Sequence, residues 1–290
     1  MENDYQDINI PDLVNRLNPK IGKRIPKFLY AYFNRILHVD ELNSYFRSTY
    51  DLDAPAFLDE AVKYLDLKIN IDEESYKNLE KVKSQHAVVA SNHPYGGPEA
   101  MGLMDVLKDY LPDIKLVAQA YLKIVKPLQS CCVFNKKEVR TLMEHVEEKK
   151  SVLIYPAGFC SRKLKNKVIF DYDWKPSFLK IAKKLNVPIL IVHTRGQLSK
   201  RIFRWNRFRK IFNIKVGLES AFLVDEMYKL RGSELKMTIA PPIEASVFDN
   251  RFTLEEWSAK LRQYCFNLRE NPRLIFDPEI KVTLPQQQVF

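Results

Sequence analysis

The chain has 290 residues, 46% of them hydrophobic, which is enough to bury a large core. No apolar run approaches the ~18 residues of a membrane-spanning helix, and the acidic start, MENDYQDINI, is unlike a secretory leader. Four cysteines, with Cys131 and Cys132 adjacent, make neither a disulfide framework nor a CxxC metal pair, while a net charge of +10 favours an anionic partner; a reducing, cytoplasmic setting without a bound metal is expected.

Residues 1–80 read as a helical N-terminal extension. Phe28, Leu29, Tyr32, Phe33 and Ile36 fall at helical spacing, as do Phe57, Ala61 and Leu65 within 53–67. From about residue 86 the pattern changes to short apolar runs, AVVA (87–90), KLVA (115–118), VLIY (152–155), PILIVH (188–193) and KMTIA (236–240). Between them lie amphipathic segments near 98–110, 138–149, 174–186 and 253–269, with Pro98 placed as a first helical residue and Thr253 and Glu256 spaced as a capping box. Strands and helices in this alternation predict an α/β domain over 81–290, built on a largely parallel mixed sheet flanked by helices.

The first strand runs into SNHPYGGPE (91–99), which spends two of the chain's eight glycines in one turn. In open α/β sheets ligands bind at the carboxyl ends of the strands, where the next helix N-terminus offers free N–H groups. Gly96 and Gly97 permit a tight turn that presents His93, and Glu99 in the first helical turn is placed to fix the imidazole tautomer. That pair makes a general-base dyad; the bland alternative is a turn whose histidine caps the helix and whose glutamate complements its dipole.

A second strand runs into YPAGFCSRK (155–163), a glycine-containing loop with two cations, Arg162 and Lys163. Together the two loops resemble signature blocks of the glycerolipid acyltransferase superfamily, most closely its bacterial branch of hemolysin-like and lyso-aminolipid (ornithine and glycine lipid) acyltransferases. VFNK (133–136), VPILIV (187–192) and LVDEMYK (223–229) extend the resemblance over most of the chain. Two departures stand out. The acid that usually follows the histidine after four residues is here one later, as Glu99, and Ala157 replaces a glutamate associated with acceptor binding, which argues against a simple glycerol-3-phosphate acceptor.

The resemblance implies an acyl thioester on acyl carrier protein or coenzyme A as donor, a lyso-lipid hydroxyl as acceptor, and no tightly bound cofactor. His93 and Glu99 would be catalytic; Asn92, Gly96, Gly97, Gly158, Arg162 and Lys163 would bind substrate, with backbone N–H groups near Gly97 as candidate oxyanion donors. Cys160 suggests an acyl-cysteine intermediate, but a lone cysteine among apolar residues is more often packing. His193, ending an apolar strand, is expected to be structural, and His38, His86 and His145 show no partner pattern.

From Trp174 to Leu218 there are twelve basic residues and no acidic ones. Wound as a helix, 200–212 groups Trp205, Phe208, Phe212 and Ile202 on one arc, an imperfect amphipathic pattern that places Arg201, Arg204, Trp205 and Phe208 at an anionic membrane surface. Peripheral association with the inner face of the membrane follows as the expectation; a solvated basic face with a buried aromatic side is the alternative. A nucleic-acid-binding module would also use such a stretch but leaves the histidine loop unexplained, so no nucleic acid is expected. A thioesterase or lipase-like hydrolase, using the same histidine on water, is the remaining rival.

Overall fold

The computed structural model describes residues 5–17, 26–83, 85–111, 113–134, 150–163, 168–202 and 219–285, together with 144, 146 and 148. Among the described residues four helices open the chain: α1 (Ile10–Leu17), α2 (Lys27–Ile36), α3 (Val39–Thr49) and α4 (Ala54–Tyr64). Asp53 caps α4 by accepting from the Ala56 amide, with Pro55 in the first turn. Strand β1 (Lys68–Ile71) follows, then α5 (Glu73–Glu80), capped by Asp72 through the Ser75 amide.

The core alternation comes next: β2 (Val88–Ser91), α6 (Pro98–Leu107), β3 (Lys115–Val117), β4 (Cys132–Val133) and β5 (Val152–Ile154). A two-stranded antiparallel ribbon, β6 (Arg162–Lys163) and β7 (Ile169–Phe170), precedes α7 (Ser177–Leu185) and β8 (Ile189–Thr194). The chain closes with α8 (Glu219–Lys229), β9 (Glu234–Ile239) and α9 (Leu254–Asn267), whose Thr253/Glu256 capping box forms as the sequence predicts.

Seven strands form one sheet in the order β1-β9-β8-β2-β5-β3-β4. From β8 to β4 all neighbours are parallel; β9 runs antiparallel to β8 and parallel to β1. The expected largely parallel mixed sheet flanked by helices is thus observed. Strand β2 lies at its centre, and its side chains divide by strand period between two cores. Val89 faces Leu103, Met104 and Leu107 of α6, whereas Val88 and Ala90 face Phe178 and Ile181 of α7 and Trp257 and Leu261 of α9.

Two placements differ from the sequence reading. The segment 1–80 carries β1, paired with β9 from Lys68↔Glu234 to Ile71↔Met237, so it supplies an edge of the sheet as well as helices. Helix α6 packs close on that edge: a Cβ at Gly102 would stand 2.6 Å from Ile69 Cδ1. In addition, LVDEMYK lies in α8, an element that no apolar periodicity had suggested. Asp225 of α8 pairs with Arg201 at 3.0 Å and lies 3.5 Å from His38, which also stacks on Tyr228, so His38 does have partners. The expected helix at 138–149 and Arg204, Trp205 and Phe208 lie largely or wholly outside the described residues. Among the described residues no helix is long and apolar enough to cross a membrane.

Candidate active site

The carboxyl ends of β2 and β5, adjacent parallel strands, release the two loops that the sequence singled out. His93 follows β2 with its side chain 17% exposed, and its Nδ1 lies 2.9 Å from Oε1 of Glu99, which is fully buried. Nδ1 is itself inaccessible, so Nε2 is the ring nitrogen that a substrate can reach. Its ring stacks on Tyr155, at the end of β5, with centroids 4.2 Å apart.

Glu99 is held by the turn itself. Oε1 accepts from the amides of Tyr95 (2.9 Å) and Gly96 (3.0 Å), and Oε2 from that of Gly97 (3.1 Å). Burial alone would raise its pKa, but the charge and hydrogen bond of His93 and these amides outweigh that and hold the carboxyl below its ordinary range. The carboxylate is therefore ionised at neutral pH and lies against the imidazole. One expectation changes: the Gly97 amide serves Glu99 and is not available to an oxyanion.

Conformational freedom is needed at Gly96, where φ is +91° and an added Cβ would stand 2.8 Å from Cys160 Sγ and 3.1 Å from Leu223 Cδ1. Gly96→Ala should lose about 1–3 kcal/mol of stability through backbone strain, together with most activity, measurable by urea denaturation and initial rates. Gly97 is extended at φ −176° and needs no such freedom. Gly158, at φ +68°, closes the second loop by donating to Tyr155 O at 2.9 Å.

The other expected site residues separate into two groups. Asn92 is buried, 1% exposed, and its side-chain amide donates to Thr194 O (2.9 Å) while its oxygen accepts from Thr194 N (2.7 Å). It therefore splices the first loop to β8 and lies beneath the surface a substrate would meet. Arg162 and Lys163, half-buried, form β6 beyond the second loop, with the Arg162 guanidinium 5.4 Å from the centre of the Tyr172 ring. Ala157 is enclosed in the core and leaves no carboxylate at that turn. Arg201 pairs with Asp225 and lies over Phe222, 5.0 Å from its centroid. Cys160 packs with Leu198 and Ile202.

Tyr155 was missed in the sequence. Burial, then the Glu99 charge, pushes its phenol well above the ordinary value, so the ring stays neutral against His93. The available signal was its position: it ends the strand next to β2, so its side chain emerges beside that of His93.

The model of the acyltransferase family matches residues 13–272, nearly the whole chain. The protein belongs to that family. Two relatives share its length: a lyso-glycine lipid O-acyltransferase of Bacteroides thetaiotaomicron is 29% identical over 270 residues, covering 90% of this chain and 97% of that one. A lyso-glycine lipid O-acyltransferase of Phocaeicola vulgatus is 28% identical over 269 residues, covering 89% and 94%. Among solved structures, the 1-acyl-sn-glycerophosphate acyltransferase PlsC of Thermotoga maritima aligns over 75% of this chain and 78% of its own, with a TM-score of 0.46 and 16% identity. In this acyltransferase the histidine and acid of the first loop meet in space although the acid comes one residue late, across a turn in which Gly96 takes φ +91°.

Proposed function

We propose that this acyltransferase moves a fatty acyl group from a thioester to the hydroxyl of a lyso-aminolipid, with lyso-glycine lipid as the first acceptor to test. The end-to-end likeness to two lyso-glycine lipid O-acyltransferases carries this reading. A carboxylate-bearing head group also suits a site edged by Arg162 and Lys163, with Ala157 in place of an acid.

In the proposed reaction Nε2 of His93 takes the proton of the acceptor hydroxyl as its oxygen attacks the thioester carbonyl. Glu99 stabilises the imidazolium across the 2.9 Å contact at Nδ1. A C–O bond forms, the C–S bond breaks, and the departing thiolate recovers the proton from the imidazolium. Acyl carrier protein and coenzyme A are both candidate donors. Arg201, and Arg204, Trp205 and Phe208 outside the described residues, remain the proposed contact with an anionic bilayer at the cytoplasmic face.

The test incubates purified protein with acyl-carrier-protein and coenzyme A thioesters and lyso-glycine lipid, lyso-ornithine lipid or lysophosphatidic acid, and identifies products by mass spectrometry. A diacyl glycine lipid that requires the acceptor is expected. Free fatty acid released at the same rate without acceptor would identify a hydrolase instead.

A further inference from the structure

Beneath the two loops lies a buried polar cluster that the reaction above does not use. Asp171, directly after β7, is fully buried. Its Oδ1 accepts from Ser161 Oγ at 2.6 Å and its Oδ2 from Trp174 Nε1 at 2.9 Å. Ser161 in turn donates its backbone N–H to the carbonyl of His93 at 2.7 Å. One residue of the second loop therefore grips the carboxylate with its side chain and the histidine with its main chain.

The cluster has a rigid base. Arg262 of α9, with a side chain 1% exposed, donates to Asp171 O at 2.9 Å and pairs with Asp173 at 2.9 Å. Ser258, one turn earlier on α9, donates to Trp174 O at 2.8 Å. A continuous path of hydrogen bonds thus runs from a core helix through 171–174 to the backbone of His93. Full burial of a carboxylate is costly unless donors converge on it, and here they come from Ser161 and Trp174. Burial outweighs the Ser161 and Trp174 bonds and the charge of His93, so its pKa lies above the ordinary carboxyl value.

We infer that Asp171 is a positioning residue of the acyl-transfer reaction, fixing the His93 backbone through Ser161 so that Nε2 meets the acceptor hydroxyl. This rests on His93 being the general base. Ion pairing with Glu99 sets the direction of the ring, and the Asp171–Ser161 link sets the height of the chain that carries it. A fixed loop matters because a displacement near 1 Å at a reacting group can cost about a hundredfold in rate.

The experiment compares wild type with Asp171→Asn, Ser161→Ala and His93→Ala in steady-state acyl transfer from acyl-coenzyme A or acyl carrier protein to lyso-glycine lipid, after melting curves have established folding. An asparagine presents an amide to donors that need an acceptor, so Asp171→Asn should lower kcat about 10- to 100-fold with KM within about twofold. Ser161→Ala, a smaller change, should lower kcat about three- to tenfold at unchanged KM. A folded Asp171→Asn with wild-type kcat would overturn the inference. If Asp171→Asn does not fold, Ser161→Ala decides, and an unchanged kcat there overturns it equally. His93→Ala with wild-type activity would instead overturn the general-base reading.

Discussion

His93→Ala is expected to lower kcat/KM by roughly 10²- to 10⁴-fold, the range that positioned general bases contribute. The loss should fall on kcat, because in the proposed reaction the imidazole acts on the acceptor proton in the transition state and contributes little area to substrate binding. The variant should still fold. Glu99 loses the imidazole beside it but retains the amides of Tyr95, Gly96 and Gly97, so the carboxylate is not stranded in the core. Circular dichroism and melting curves recorded beside the kinetics separate a catalytic loss from an unfolded sample. Wild-type kcat/KM in a folded His93→Ala protein would remove the histidine from the mechanism and turn attention to a base supplied elsewhere.

The second large effect concerns acid stability and resides one strand away. His193 is buried against Cys265 and Phe266, with Nδ1 3.9 Å from the Cys265 sulfur. Burial, then the charges of Arg269 and Arg195, lowers its pKa to about 3. The unfolded chain takes up this proton near pH 6.5 while the native protein refuses it, so stability is lost as pH falls through the window from about 6.5 to 3. The slope approaches about 1.4 kcal/mol per pH unit, or about 2 kcal/mol between pH 6.5 and 5. Glu99 adds to this only at lower pH: its contribution is present above its unfolded value of 4.5 and disappears as pH falls through its depressed folded value. Urea denaturation of wild type and His193→Leu at pH 7.5 and pH 5 should show the difference, with the variant much flatter. Parallel pH dependences in the two proteins would show that His193 is not the group responsible.

The sheet was legible in the sequence because its inner strands are buried on both faces and read as continuous apolar runs. AVVA, VLIY and PILIVH all became strands at its centre. Strand β1 was not legible: KINI alternates exposed and half-buried side chains, is only four residues long, and follows a helical stretch. The dyad was legible because histidine, glycines and acid are neighbours in the chain. What the glycine amides do was not, since sequence shows that donors exist and only the fold shows that Glu99 takes them. Asp171 gave no signal in DYDWK, because its meaning comes from Ser161, Trp174 and Arg262, brought together by β7, the second loop and α9.

The wrapping of the turn around Glu99 bears on transplantation. The histidine and its acid are not two separable residues on a neutral scaffold, since beside His93 the main-chain amides of 95–97 keep the acid charged. Moving the dyad into another scaffold therefore requires the whole block 93–99, including the Pro98 helix start. Grafting His93 and Glu99 alone onto a loop of different length would leave a buried acid without its donors. Tyr95 gives its amide to Glu99, but its ring also packs against the core, so it belongs to the block as well.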